Sequence, residues 1–223
     1  MQHTTDDRYL EPYNSKYGQY KFEKQFSFIS KYLKQTDRVL DIAGGSGRFA
    51  LPLFSRCQEL TVIDISSDAL QLILDQNPSI QVISGDFLTA KIQSSYSLII
   101  CIEALGHFQD YDKFFEKVST LLKPNGLFLF TTVNPRSWRS YLRRFNKRRS
   151  IELNDRPTDE VIQLLRKHHF NVKDVCGFNW IPIPIFLSQS PLVKVFALLE
   201  RIFSAHTWIA QSPWLLFAVQ KNG

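Results

Sequence analysis

Apolar positions along the chain alternate between helical and strand periods. In Tyr20–Leu33, residues Phe22, Phe26, Ile29 and Leu33 share one helical face. Arg38–Ile42 is a short apolar run of strand type, and Arg48–Arg56 returns to helical spacing. The exchange continues with a strand at Leu60–Asp64, a helix at Asp68–Leu74, a strand at Ile80–Ile83 and a buried-type strand at Ser97–Ile102. Tyr111–Leu122 reads as a helix stopped by the turn signal Lys123-Pro124-Asn125-Gly126, with the strand Leu127–Val133 behind it. Asp159–His168 is a helix, Val172–Phe178 a strand and Trp214–Val219 a final strand. Such alternation predicts an α/β fold: a seven-stranded, mostly parallel sheet with helices on both faces. The last strand is expected to be antiparallel, the edge partner of a pair. The stretch before it, Asn179–Ser212, is expected to be an apolar insertion or cap.

Composition narrows the class. With 223 residues and 44% hydrophobic content the chain suits one domain with a full core. The apolar stretches Phe178–Leu187 and Pro191–Leu199 are broken by Pro or Lys and fall short of the roughly 20 residues that span a bilayer. Met1–Arg8 is polar, so neither a signal peptide nor a membrane span is expected. Cys57, Cys101 and Cys176 are scattered and odd in number, which favours no disulfide framework or zinc site and a cytoplasmic setting.

The net charge of +6 changes the picture only locally. Arg136, Arg139, Arg143, Arg144, Lys147, Arg148 and Arg149 form one run without an intervening acid, and the rest of the chain is close to neutral. The high pI therefore reports a patch rather than a nucleic-acid-coating protein.

The strongest chemical signal is Val39-Leu40-Asp41-Ile42-Ala43-Gly44-Gly45-Ser46-Gly47-Arg48-Phe49. A strand enters a glycine-rich turn, where the backbone can approach a ligand closely, and a helix with free N–H groups follows. Asp64 ends the next strand, where a carboxylate can accept both hydroxyls of a ribose. The spacing Gly45-x-Gly47-x-x-Ala50 also fits a dinucleotide fingerprint. Asp41 argues against that alternative: it would repel a pyrophosphate, but it suits the amino group or sulfonium-bearing chain of S-adenosylmethionine. In Ser84-Gly85-Asp86-Phe87, Asp86 could accept from an adenine amino group and Phe87 could give apolar cover.

From about Arg38 to Val133, over 40% of the chain, the sequence resembles class I S-adenosylmethionine-dependent methyltransferases, especially the group similar to ubiquinone-biosynthesis O-methyltransferases. The matching segments are Asp41 to Gly47, Asp64, Asp86, Ile100-Cys101-Ile102-Glu103-Ala104-Leu105-Gly106-His107-Phe108 and Leu121-Leu122-Lys123-Pro124-Asn125-Gly126. The resemblance implies a Rossmann-like fold, S-adenosylmethionine as cofactor with S-adenosylhomocysteine as product, and a small-molecule acceptor. The implied cofactor-binding residues are Asp41, Ala43, Gly44, Gly45, Gly47, Asp64, Ile65, Asp86, Phe87, Ile102 and Glu103, with Tyr17 from an N-terminal cover. Two departures stand out. Ala43 replaces the usual first glycine, and Gly106 replaces a common Glu before the histidine, so no metal site is expected. The expected layout is a single domain over 1–223: a helical cover at 1–36, the cofactor-binding core at 37–133 and an acceptor-side half at 134–223 with the insertion at about 179–212.

For chemistry, His107 is the expected catalytic base, just beyond the fourth strand where open α/β sheets bind ligands. Tyr13, Tyr17 and Lys21 are candidates to fold over the cofactor. On the acceptor side, Arg136–Arg149 interleaves cations with Trp138, Tyr141, Leu142 and Phe145 as a basic amphipathic helix or loop. Trp180–Phe203 is unusually apolar, fitting core packing, a homodimer surface or a greasy acceptor channel. Together they suit an amphipathic or lipid-linked acceptor and peripheral contact with an anionic membrane surface. Nucleic acid is disfavoured as acceptor, because Ile102-Glu103-Ala104-Leu105 stands where amino-methylating nucleic-acid enzymes carry an Asn/Asp-Pro-Pro-aromatic motif.

Overall fold

The computed structural model describes residues 14–93, 95–145, 154–181 and 188–223, with the backbone alone for 142–145. Its strands are β1 (Arg38–Ile42), β2 (Glu59–Asp64), β3 (Gln81–Ser84), β4 (Tyr96–Cys101), β5 (Leu122–Val133), β6 (Phe170–Phe178) and β7 (Trp214–Lys221). They form one sheet in the order β3-β2-β1-β4-β5-β7-β6. The pairs β1–β2, β2–β3, β1–β4 and β4–β5 are parallel. β7 runs antiparallel to both neighbours, with Phe130 opposite Phe217 and Phe178 opposite Trp214. The edge therefore belongs to β6, and the expectation that β7 would lie there is corrected.

Alternation along the strands divides the core. Leu40, Ile42, Ile99, Phe128, Phe130 and Phe217 point to one face. Val39, Val62, Leu98, Ile100, Leu129 and Leu216 point to the other. The first face is covered by α4 (Tyr111–Leu121) and α6 (Thr158–Lys167), the second by α1 (Lys16–Tyr32), α2 (Ala50–Phe54) and α3 (Ser67–Gln76). α5 (Trp138–Phe145) follows β5, and α7 (Leu192–Ile202) lies in the insertion.

Two boundaries differ from the periodic pattern for local reasons. α2 is shorter than Arg48–Arg56, because Gly47 holds a left-handed φ of 85° and delays the helix. β5 begins five residues early. Leu122 pairs with Tyr96 and Leu127 with Leu98, so the Lys123–Gly126 turn is looped out within the strand, with Asn125 at φ 61°. α1 reaches back to Lys16, where the Ser15 hydroxyl accepts from the Gly18 N–H at 3.0 Å.

In the insertion, α7 packs on α1 through Tyr20, Ile181 and Val193. Ile183, Ile185, Phe186 and Leu187 lie outside the described residues, as do Tyr13, Lys147, Arg148 and Arg149, and the side chains of Leu142, Arg143, Arg144 and Phe145. Among the described residues no helix is long and apolar enough to cross a membrane. The three cysteines are free, with Cys57 and Cys101 buried and Cys176 half-buried.

Candidate active site

The sheet's strand order reverses between β1 and β4, so the chain leaves these strands in opposite directions and opens a crevice beyond their C-terminal ends. A cavity of about 780 Å³ occupies it. Its walls include Ala43 after β1, Asp64 at the end of β2 and Ile65 behind it, Asp86 and Phe87 after β3, and Ile102, Glu103 and His107 after β4. Eight of the thirteen site residues expected from sequence thus line one cavity. Gly44, Gly45 and Gly47 build the adjoining loop, Asp41 lies in β1 just before it, and Tyr17 lies elsewhere.

The loop is shaped by close approach. A side chain at Gly44 would meet Val62 Cγ1 at 2.6 Å and Asp41 Oδ2 at 2.8 Å, so only glycine fits. Ala43 and Gly45 both take left-handed φ, 55° and 54°. That conformation costs an alanine about 1 kcal/mol, which accounts for the glycine usual at position 43. The Gly45 N–H donates to Asp64 Oδ2 at 2.8 Å, and the Ser66 N–H to Asp64 Oδ1 at 2.9 Å. Asp64 is thereby held at the cavity wall by two backbone donors. Ile65 beside it is 79% exposed, the most exposed large hydrophobic among the described residues, and forms an apolar wall of the cavity.

Asp41 is the penultimate residue of β1, 2% exposed, and its Oδ2 has no hydrogen-bond partner among the described residues. Burial, reinforced by the Asp64 carboxylate, pushes its carboxyl up to about 8. A buried carboxyl oxygen left unanswered against the glycine loop is a seat for a cationic or donor group. On the third loop, Asp86 Oδ1 accepts from the Leu88 N–H at 2.8 Å. Phe87 is 3% exposed and packs on Phe108 and Phe114 at centroid distances of 6.1 and 5.3 Å. Phe87 is therefore as much a core residue as a cavity wall.

Glu103 has a left-handed φ of 60°, and its N–H donates to Thr131 Oγ1 at 2.6 Å. Its carboxylate is committed to other parts of the protein. It accepts from Lys21 at 2.6 Å, Gln25 at 2.8 Å and Arg48 at 3.2 Å. Burial would raise this carboxyl, but Lys21 and Arg48 outweigh it and hold it below the ordinary carboxylate value. Arg48 and Gln25 are participants that sequence reasoning missed. Gln25 carried a signal, being a polar residue inside the apolar stripe Phe22, Phe26 and Ile29, and it is fully buried.

Tyr17 is on the same helix but makes other contacts. Its hydroxyl donates to Asn179 Oδ1 at 2.5 Å and accepts from Arg139 at 3.0 Å. It is not among the residues that line the cavity. His107 occupies a 3-10 turn, Leu105–His107, at the cavity wall, and its ring makes no hydrogen bond among the described residues. A smaller cavity of about 30 Å³ shares the Glu103 and Ala104 walls and is also lined by Thr132 and Trp214. Among the described residues no three His, Cys, Asp or Glu side chains are grouped as a metal ligand set.

Residues 13–174 match the model of a methyltransferase domain. Among curated relatives, the chain is 32% identical over 111 residues to a ubiquinone biosynthesis O-methyltransferase of Paraburkholderia phymatum, covering 47% of each protein. The chain thus spans about half the length of such relatives. Among solved structures, the S-adenosylmethionine-dependent methyltransferase from Mesorhizobium loti superposes with a TM-score of 0.65 at 16% identity, over 87% of this chain and 96% of that one. The N-methyltransferase NodS from Bradyrhizobium japonicum, in complex with S-adenosylhomocysteine, superposes at 0.64 and 16% identity over 99% and 94%. At such identities the structural likeness speaks for the fold.

Proposed function

The chain belongs to the methyltransferase-domain family, and on that premise we propose that it transfers the methyl group of S-adenosylmethionine to an oxygen of a small-molecule acceptor. The observation that carries this assignment is the buried Asp41 carboxyl, with its unanswered oxygen, beside a loop that only glycine can form at position 44. A dinucleotide would bring a pyrophosphate to this place. The one cation of the loop, Arg48, is directed to Glu103 and the Gly18 carbonyl instead.

When bound, S-adenosylmethionine supplies an electrophilic methyl group on a sulfonium, and S-adenosylhomocysteine is what remains. Asp64 receives the ribose hydroxyls and Asp86 the adenine amino group. Ile65, Phe87, Ala43 and Ile102 supply apolar walls, and Asp41 answers the cationic end of the methionine part. An imidazole nitrogen of His107 takes the proton of the acceptor hydroxyl as the methyl group arrives. Glu103 anchors the covering helix α1 at the cavity rather than acting as a base. The name of the curated relatives supports oxygen as the acceptor atom. No metal ion is included, because Gly106 offers no side chain where related sequences often place a glutamate.

Calorimetric titration with S-adenosylhomocysteine and with NAD tests the assignment. Wild type is expected to bind the former, and Asp64→Ala to weaken it at least tenfold, since each charge-assisted hydrogen bond contributes about 1.5–3 kcal/mol. Tight binding of NAD with no response to S-adenosylhomocysteine would overturn it.

The acceptor is read as amphipathic and the protein as cytoplasmic, with peripheral contact to an anionic membrane surface. The basic run gives this less support than its composition suggests. Arg136 pairs with Asp159 at 3.1 Å, and Arg139 turns inward to Tyr17 and Asn179. Another surface supports it better.

A further inference from the structure

α7 is apolar on two opposite faces. Its inner face packs on α1: Val193 is 1% exposed, Phe196 and Ala197 are half-buried, and they meet Tyr20 and Ile181. Glu200 belongs to this inner face, 4% exposed, where the Tyr20 hydroxyl donates to its carboxylate. The outer face carries Leu192, Val195, Leu198, Leu199 and Ile202 at helical spacing, each 38–62% exposed. Phe203 and Trp208 continue the patch at 62% and 52%. Seven of the ten exposed large hydrophobics among the described residues thus fall between positions 192 and 208. A helix apolar on both sides is ordinarily buried on both, so the outer face calls for a cover.

Charge selects the cover. From Asn179 to Gly223 the sequence contains a single acid, Glu200, and that acid faces inward. The charged residues exposed on α7 are Lys194 and Arg201. They stand seven residues apart, two turns along one border of the apolar stripe, and neither makes an ion pair among the described residues. A groove of about 840 Å³ between α1, β6 and α7 adjoins the stripe at Leu198 and Arg201. It brings in Lys24, Lys31 and His206, together with Glu23 and Asp174, the latter already held by Lys31 and Tyr32. A second copy related by a twofold axis would set Lys194 and Arg201 against their own equivalents with no exposed acid on the helix to answer them. An anionic lipid surface satisfies both parts: acyl chains receive the stripe while the cations at its border reach the headgroups.

We infer that α7 is a membrane-docking element that lies in the interface of an anionic bilayer, inserting Leu198, Ile202 and Phe203 with Lys194 and Arg201 at headgroup level. This deepens the proposal of an amphipathic acceptor and rests on it. The bilayer then serves as the phase from which such an acceptor is drawn, with α1 linking the docking helix to the cofactor cavity through Tyr20 and Lys21.

Flotation with vesicles of phosphatidylcholine containing about a quarter phosphatidylglycerol tests the inference. Wild type is expected to float at low salt, at least about tenfold more than with phosphatidylcholine alone, and to detach as salt rises. Ile202→Glu with Phe203→Glu is expected to lower vesicle binding at least about tenfold, and Lys194→Gln or Arg201→Gln about fivefold each. All variants are expected to keep their S-adenosylhomocysteine affinity, which separates this test from that of the methyltransferase reading. Wild type that ignores anionic vesicles at low salt overturns the inference. So does a dimer in sedimentation that Ile202→Glu dissociates, because the face then belongs to a second copy.

Discussion

Lys21 Nζ lies 2.6 Å from Glu103 Oε2, joining α1 to the second residue after β4. Arg48 reaches the other carboxylate oxygen at 3.2 Å, and all three side chains are 13–14% exposed. One carboxylate therefore holds two cations that have little access to water. Glu103→Gln is expected to destabilise the protein by about 3 kcal/mol in urea unfolding, since it leaves two desolvated cations together. The pH dependence follows from the direction of the shift. A carboxyl held below its ordinary value stabilises the fold fully above its unfolded pKa, and that contribution is lost as pH falls through the lowered value. The gap between wild type and Glu103→Gln should therefore close on acidification, and a pH-independent gap would remove the ionic explanation.

Asp41 behaves in the opposite sense. With its carboxyl raised to about 8, it is mostly uncharged at neutral pH. A sulfonium-bearing ligand favours the ionised form, so binding near pH 7 is expected to release a proton. Calorimetry of S-adenosylmethionine binding in buffers of different ionisation enthalpy measures that proton, and Asp41→Asn should abolish the release. In the ligand-free protein the raised group contributes stability that is fully present below its ordinary value of 3.8 and is lost progressively as pH rises to about 8. Asp41→Asn should lack that loss between mildly acidic and neutral pH.

Neighbouring positions of the loop are expected to respond with opposite signs. Ala43→Gly relieves a left-handed alanine and should raise stability by about 1 kcal/mol while leaving S-adenosylhomocysteine affinity within about twofold. Gly44→Ala drives a methyl group into Val62 and Asp41 and should cost about 1–3 kcal/mol and most of the affinity. Thermal unfolding with and without ligand distinguishes them, and equal tolerance at both positions would contradict the close approach described for Gly44.

His107→Ala is expected to lower kcat about 10²-fold with little change in KM, in an assay of labelled-methyl transfer to a phenolic acceptor. The ring makes no hydrogen bond within the described residues, so its loss should leave stability nearly unchanged. A rate that survives the substitution would leave positioning alone to account for the transfer.

Much of the lining of the candidate cavity was legible in the sequence, because the glycine loop and the acids at strand ends are local signals. Asp64 ends β2, and Asp86 and His107 lie in the segments that leave β3 and β4, and a parallel sheet gathers such positions at one edge without further information. What gathers around Glu103 was not legible. Lys21, Gln25 and Arg48 stand 82, 78 and 55 residues away, and no period reports a meeting of that range. Tyr17 shows the same limit in reverse: its helix was foreseen, but its direction toward Arg139 and Asn179 depends on how the insertion packs. The place of β7 inside the sheet was likewise hidden, since both inner and edge antiparallel strands read as apolar runs. For α7 the helical period was plain, but a helix apolar on two faces does not say which one its own protein covers.

The position of β7 has a consequence for how the protein is made. Leu127-Phe128-Leu129-Phe130 of β5 must pair with residues 217–220, which leave the ribosome about ninety residues later. At the usual pace of synthesis that interval lasts roughly 5–20 s. Throughout it, an apolar strand offers an open edge to any other chain nearby, and β6 has no neighbour to join. The nascent protein is thus a natural client for chaperones that shield strand edges, and its yield in overexpression should depend on them more than its finished stability would indicate.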